Sequence, residues 1–213
     1  MKLSRSRDNR FGDGFPPVPA DSATVPAMAH ERTTATFGNV TIEGHIHDLS
    51  HLDPFTFEFV VPEKDGRSRQ LYAIDVLFSW HCFTRGIAPG ENFSKALAYS
   101  RGRETRLFDE RRYHLSKNLP RIIRGIGSRK CFHTGRGNFF TVELVDEEGN
   151  RTEYTIFFKV ARRPKPRELT LRVESAYIRG DRVPLGRAHP PRPIRFSVIA
   201  YNTATGKRIK EPK

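Results

Sequence analysis

The sequence predicts an α+β fold, which is a mostly antiparallel β-sheet with one or two short helices and a disordered N-terminal arm. Two observations predict this fold class. Apolar and polar residues alternate in several segments, which is typical of half-buried strands. One segment near the middle of the chain instead has apolar residues at helical spacing. The 213 residues, 37% of them hydrophobic, are sufficient for one core.

The first part of the chain has the composition of a flexible arm. It mixes Gly, Pro, Ser, Asp and Arg with few periodic apolar residues, and its run Phe15–Pro19 favours an extended polyproline conformation. The predicted division of the chain is an arm over residues 1–33, a single α+β domain over 34–205, and a basic tail over 206–213. Within the domain, we expect an N-terminal β part over 34–100 and a helix plus four-stranded meander over 105–205.

Two alternating segments predict the first strands of the domain. Phe55–Val61 and Tyr72–Trp80 both have period two, and the Asp65–Gly66 pair between them is a favourable hairpin turn. We therefore expect an antiparallel pair, with a shorter strand around Val40–Ile42 before it.

One amphipathic helix is predicted in the middle of the chain. Ser116 is a suitable N-cap, Pro120 falls in the first turn, and Gly127 would end the helix. The residues of its apolar stripe are Leu115, Leu119, Ile122, Ile123 and Ile126. After this helix, alternation predicts four antiparallel strands, around residues 139–144, 154–160, 169–173 and 194–200.

The charge of the chain indicates a polyanionic partner. There are 37 Lys and Arg residues against 24 Asp and Glu residues, for a net charge of +13. The positive charge is concentrated in residues 101–136 and 161–195, whereas residues 137–158 are acidic. Because arginine grips phosphate in two places, this segregation predicts a nucleic-acid partner, and we expect RNA.

Several other function classes are disfavoured. Neither a phosphate-binding GxxxxGK[ST] loop nor a GxSxG nucleophile elbow occurs in the sequence, so no cofactor is predicted. The longest apolar runs are too short and too charged to cross a bilayer, and the N-terminus lacks a secretory signal. We expect a cytoplasmic protein without a membrane partner, in which Cys82 and Cys131 are buried thiols.

A histidine cluster near the start of the domain allows two interpretations. His45, His47, Asp48 and His51 could form a metal site or a polar turn with incidental histidines. Their spacing differs from the HxHxDH signature of metallo-β-lactamase-type hydrolases, and this favours the turn. We therefore predict no metal ligands.

The remaining residues suit RNA cleavage without metal, in which the 2′-hydroxyl of RNA is the nucleophile. Such a site needs an acid, a base and cations that stabilise the charge on phosphorus. For each histidine, the alternative to a catalytic role is a structural one. This alternative is strongest for His81, which ends a strand among core residues. The predicted catalytic residues are His114, His133, Lys117 and Ser175. The predicted nucleic-acid-binding residues are Arg111, Arg112, Arg121, Arg124, Arg136, Arg162 and Arg163.

The C-terminal half resembles a known group of ribonucleases. A basic helix precedes a meander whose strand Glu153–Val160 is followed by one that ends in Leu169–Val173 and then Ser175-Ala176-Tyr177. This order over residues 105–205 is similar to the barnase–EndoU–colicin–RelE-like (BECR) ribonuclease toxins. The resemblance implies a site on the sheet face with His114, Lys117, Arg136 and Ser175. The segment Leu49–Thr84 resembles an uncharacterised bacterial family.

The sequence thus predicts a metal-independent, toxin-like endoribonuclease that acts by 2′-hydroxyl transesterification, and a neutralising protein partner fits this function. Two alternatives stay open. The chain could be a nucleic-acid-binding module without catalysis, in which the arginines only dock phosphate. It could also be a basic interaction protein that binds an acidic protein partner.

Overall fold

The computed structural model describes residues 36–63, 68–134, 137–147, 150–178 and 192–210, all within one compact unit, Thr34–Lys213. The predicted α+β class with mostly antiparallel sheets is confirmed. The predicted arm, the Asp65–Gly66 turn and Arg136 lie outside the described residues, and the proposed domain division stays a prediction.

The described residues form twelve strands and three α-helices, joined by short turns and 3₁₀ segments. The strands are β1 (Asn39–Ile42), β2 (His45–Asp48), β3 (Phe55–Val61), β4 (Gln70–Phe78), β5 (Thr84–Arg85), β6 (Ala98–Arg101), β7 (Glu104–Phe108), β8 (Lys130–His133), β9 (Phe139–Glu147), β10 (Asn150–Arg162), β11 (Glu168–Ile178) and β12 (Pro193–Arg195). The helices are α1 (Glu110–Ser116), α2 (Leu119–Arg124) and α3 (Phe196–Ala204).

A seven-stranded sheet organises the fold, with the strand order β12-β8-β9-β10-β11-β4-β3. Its neighbours are antiparallel except for β11 and β4, which run parallel with Leu171 opposite Val76. This parallel pair joins the two halves of the chain. Two small antiparallel sheets, β1-β2 and β5-β7-β6, complete the β structure of the described part.

The predicted pair of N-terminal strands is confirmed. β3 and β4 pair antiparallel, with Phe57 opposite Ile74. The buried residues of β4 alternate with half-buried or exposed ones, as period two requires.

The predicted middle helix consists of two helices instead of one. The side chain of Asp109 accepts a hydrogen bond from the Arg112 backbone N–H at 3.0 Å, so Asp109, not Ser116, caps the first helix. Ser116 ends α1, where its hydroxyl donates to the Tyr113 carbonyl. Pro120 lacks the backbone N–H that would continue the helical hydrogen bonds from α1, and this accounts for the interruption.

The junction between α1 and α2 is a tightened turn. Lys117 and Asn118 keep right-handed helical backbone angles, but their N–H groups bond the carbonyls three residues back, at 3.3 and 3.1 Å. The second helix ends at Arg124, with Gly125 as its C-cap. Gly127 lies within the 3₁₀ turn that follows, so the predicted helix stop at Gly127 was too late.

The prediction of a strand over residues 194–200 was wrong beyond Arg195. β12 ends there, and α3 begins at Phe196. Phe196, Ile199 and Ala200 are buried, and this i, i+3, i+4 spacing is helical. The ring of Phe196 packs against Phe59 and Phe158, at centroid distances of 5.0 and 6.4 Å, which holds α3 on one face of the large sheet.

Both cysteines are free and buried, as predicted. Burial raises the pKa of each thiol, Cys82 and Cys131, to about 12, so both remain protonated at neutral pH. Among the described residues, none of the helices has the length and apolar character needed to cross a membrane.

We predict that Gly127→Ala destabilises the fold. A Cβ at this position would lie 2.6 Å from Cε2 of Phe59, so the packing between the 3₁₀ turn and β3 must shift. We expect a loss of about 1–3 kcal/mol in the free energy of unfolding, measured by urea denaturation. Gly86→Ala is the control, because its nearest neighbour would be 3.9 Å away. Equal stability of the two variants would contradict the prediction.

Candidate nucleic-acid interface

A row of basic residues follows the exposed side of α1, the tightened turn and α2. All five members are exposed to solvent, and they are three or four residues apart in the chain. We call this set the basic stripe, and its members are Arg111, His114, Lys117, Arg121 and Arg124. These are five of the predicted site residues, so the helices bring them to one surface.

The opposite side of the two helices is apolar and fixes the orientation of the stripe. Its buried residues are Tyr113, Leu115, Ser116, Leu119, Ile122 and Ile123. They occupy the i, i+3, i+4 positions of an amphipathic helix, which leaves the basic residues in water. The predicted helical spacing of the apolar residues was therefore correct, although the helix is divided.

The segment that carries the stripe is strongly basic in sequence. Glu110 is the one carboxylate between residues 110 and 124, and its Oε1 lies 3.6 Å from Nε2 of His114. The Nζ of Lys117 lies 4.5 Å from the ring centroid of Tyr113. The guanidinium of Arg124 lies 3.9 Å from the centroid of Phe55. These two aromatic contacts orient the cations without removing their charge.

Arg112 points into the fold. Its Nη1 donates hydrogen bonds to the carbonyls of Thr84 and His81, at 2.8 and 3.3 Å, and its guanidinium stacks 4.9 Å from the ring of Tyr177. Burial lowers the pKa of Arg112, although Asp109 opposes this effect. The predicted phosphate contact of Arg112 therefore competes with bonds that hold α1 to the strands.

The predicted binding residues Arg162 and Arg163 lie elsewhere. Arg163 forms ion pairs with Asp75 and, at 3.6 Å, with Glu168, so its charge is compensated. Arg162 is exposed near Gly206, at the end of β10. Both residues are close to the start of β11, where Arg162 is the cross-strand partner of Leu169. Helix α1, which carries the start of the basic stripe, instead contacts the segment that follows β4, through the hydrogen bond from Arg112 to the Thr84 carbonyl.

The predicted catalytic residues are not all on one element. His114 and Lys117 belong to the basic stripe, but His133 ends β8, where its ring meets Phe139 edge-on at 5.2 Å. Ser175 lies within β11, opposite Phe157 and beside a register shift. His133 and Ser175 are thus on strands rather than on the helices that carry the stripe.

The histidine cluster of β2 and the following turn packs against α1. The ring of His47 contacts Phe108 and Tyr113, and Nε2 of His51 lies 2.7 Å from the Ser116 hydroxyl. Within the part of the chain that the structure describes, no group of three His, Cys, Asp or Glu residues is arranged to hold a metal. Burial and, to a lesser degree, Lys117 lower the pKa of His51.

A second polar cluster contains His81, for which the sequence favours a structural role, and two partners on β7 that were not predicted. Nε2 of His81 lies 3.4 Å from Oε1 of Glu104, which also pairs with Arg106 at 3.2 Å. Arg106 in turn donates to the Thr84 hydroxyl at 2.9 Å. The signal was the two-residue spacing of Glu104 and Arg106, which places both on one face of β7. Burial lowers the pKa of His81.

These pKa shifts predict weaker folding in acid. The pKa values of His51 and His81 are below the usual 6.5 in the fold, so the unfolded chain binds more protons in this range. The contribution of these two neutral histidines to the free energy of unfolding is present above about pH 6.5. It is lost as the pH falls below this value. We expect His51→Gln to reduce the pH dependence of urea denaturation between about pH 7 and 5. An unchanged dependence would contradict this prediction, and the exposed His45→Gln is the control.

Comparison with known proteins gives one relationship. No curated protein and no solved structure matches this sequence. The sequence model of the YjaZ family matches residues 39–204, a range that runs from β1 to the last residue of α3 and includes the basic stripe. Because this match covers most of the protein, the chain belongs to the YjaZ family.

Proposed function

We propose that this protein binds RNA through the basic stripe. The observation that carries the proposal is that four side chains with permanent positive charge and one histidine share an exposed side of the helices, in a segment, residues 110–124, whose one carboxylate is Glu110. From Arg111 to Arg124 the stripe extends about 20 Å, at 1.5 Å per helical residue. This length suits contacts to several consecutive phosphates, and each contact releases a condensed counterion from the nucleic acid.

The fixed position of the cations supports binding of a regular polyanion. Arg124 rests on Phe55 and Lys117 rests on Tyr113, so part of the entropic cost of holding these side chains is met before RNA arrives. Three of the five residues are arginines, which can bond two phosphate oxygens at once.

A second candidate function is metal-independent RNA cleavage, favoured by the position of His114 between Arg111 and Lys117. In this version His114 transfers a proton, and its two basic neighbours stabilise the charge on phosphorus. The resemblance to BECR ribonuclease toxins implies the same chemistry. We place binding first because the other predicted proton-transfer residue, His133, and Ser175 lie on β8 and β11 and not on the helices of the stripe.

We predict that Lys117→Gln combined with Arg121→Gln weakens RNA binding and its salt dependence. Each phosphate contact to a single strand contributes about 0.7 to the slope of log affinity against log salt, so two lost cations should reduce the slope by about 1.4. Fluorescence anisotropy of a labelled RNA between about 50 and 200 mM salt measures this change.

The matched control is Arg151→Gln combined with Lys165→Gln. Both residues are exposed and outside the helices, Arg151 on β10 and Lys165 in the turn before β11, and their loss lowers the net charge by the same amount. Equal losses in the two double variants would indicate a uniform charge effect and contradict the proposal. Binding to an acidic protein without binding to RNA would favour the interaction-protein alternative.

The cleavage hypothesis predicts that His114→Ala loses activity while it keeps RNA affinity. General acid–base catalysis contributes about 100-fold or more, so RNA cleavage in EDTA should fall by at least that factor. His45→Ala, an exposed histidine outside the stripe, is the control. Intact RNA with the unaltered protein, or cleavage of a strand that lacks 2′-hydroxyls, would refute this mechanism and leave the binding proposal standing.

A further inference from the structure

A row of aromatic side chains crosses four neighbouring strands of the large sheet. The ring centroids of Phe132 on β8 and Phe140 on β9 are 5.0 Å apart. Phe140 is 5.8 Å from Phe157 on β10, and Phe157 is 5.5 Å from Tyr177 on β11. The angles between neighbouring ring planes are 24°, 37° and 21°, so the outer two pairs are stacked and the middle pair is tilted. We call Phe132, Phe140, Phe157 and Tyr177 the aromatic row.

The aromatic row lies on the sheet face opposite α3. Side chains alternate between the two faces of a strand, so Phe157 and Phe158 point in opposite directions. Phe158 contacts Phe196 of α3, whereas Phe157 contacts the row. Phe140 is buried between its neighbours, but Phe132, Phe157 and Tyr177 are half-buried and keep accessible surface.

Cations surround the aromatic row. Lys130 and Lys159 are exposed on the same face, two residues from Phe132 and Phe157 in their strands, and exposed Arg172 is the cross-strand partner of Lys159. At the end of the row, the Arg112 guanidinium lies over Tyr177. The carboxylate of Glu174 is nearby, and Lys159 pairs with it at 2.9 Å. The surroundings of the row therefore suit an anionic ligand with flat apolar groups.

We propose that the aromatic row is a stacking surface for the bases of single-stranded RNA. This inference rests on the proposed function and specifies its substrate. The row ends at Arg112, which is the chain neighbour of Arg111, the first residue of the basic stripe. The helices of the stripe pack on the α3 face, because Arg124 contacts Phe55, and Phe55 shares a strand face with Phe59, which contacts Phe196. A single strand that uses both surfaces therefore passes around the sheet at Arg112, with its bases on the row and its later phosphates on the stripe. Proteins that bind single strands combine a cationic path with aromatic rings in this way.

The proposal excludes a duplex as the preferred ligand. The bases of a duplex are already stacked on one another and cannot reach side chains of a sheet, whereas unpaired bases can stack on aromatic rings. Every base has a flat π-face, so the row should bind many sequences with similar affinity.

The first test uses the unaltered protein and three ligands of equal length. These are a single-stranded RNA, an abasic sugar-phosphate strand and an RNA duplex, compared by fluorescence anisotropy. We expect the single-stranded RNA to bind about tenfold or more tightly than either competitor, because stacking adds to the phosphate contacts. Equal affinities for the RNA and the abasic strand would overturn the inference and leave the basic stripe as the binding site. Binding of none of the three would overturn the proposed function, and this inference with it.

The second test locates the stacking surface. We expect Phe132→Leu and Tyr177→Leu each to lower affinity for the single-stranded RNA by about tenfold, with no change for the abasic strand or in the salt dependence. Tyr201→Leu is the control, because Tyr201 is exposed on α3 at the opposite face. Equal losses in Tyr201→Leu and the two row variants would overturn the inference. If a row variant fails to fold, the abasic comparison with unaltered protein decides the question.

Discussion

The parallel pairing of β4 with β11 is the constraint on which the rest of this structure depends. It joins strands separated by about ninety residues of chain, and the backbone bond from Ser79 to the Val173 carbonyl, at 2.9 Å, continues it beyond the end of β4. The next residues provide the His81 carbonyl that receives a hydrogen bond from Arg112. The placement of α1, and with it the start of the basic stripe, therefore follows from a contact within the sheet.

Local patterns in the sequence were sufficient for most of the strands and for the apolar side of the helices. They were insufficient where one pattern fits two structures. Ile194, Phe196, Val198 and Ala200 alternate as in a strand, but Phe196 and Ala200 also share a helical face, and contact with Phe59 and Phe158 favours the helix. The parallel pair could not be predicted, because hydrophobic periodicity does not specify which distant strands are neighbours.

The candidate interface was partly predictable for a similar reason. Counts of basic residues located the charged blocks, and helical spacing located the stripe. The sequence gives no sign, however, that Arg112 would bond the backbone of residues about thirty positions earlier, or that Arg163 would pair with Asp75. Whether an arginine is available to a ligand depends on carbonyls and carboxylates that only the folded chain brings near it. The aromatic row is similar, since its four members come from four different strands.

The tightened turn at Lys117 and Asn118 has a geometric consequence for the surface. A regular α-helix turns about 100° per residue, so side chains three positions apart differ by about 60° in direction. Bonds to the third residue back, as at Lys117 and Asn118, are the 3₁₀ pattern, in which the rotation is about 120° per residue and side chains three positions apart lie nearly in line. In a regular helix, each three-residue step would turn the next basic side chain by about 60° around the helix axis, and 3₁₀ geometry removes most of this change. The tightened turn therefore reduces, between α1 and α2, the change of direction of about 60° that a three-residue spacing gives in a regular helix.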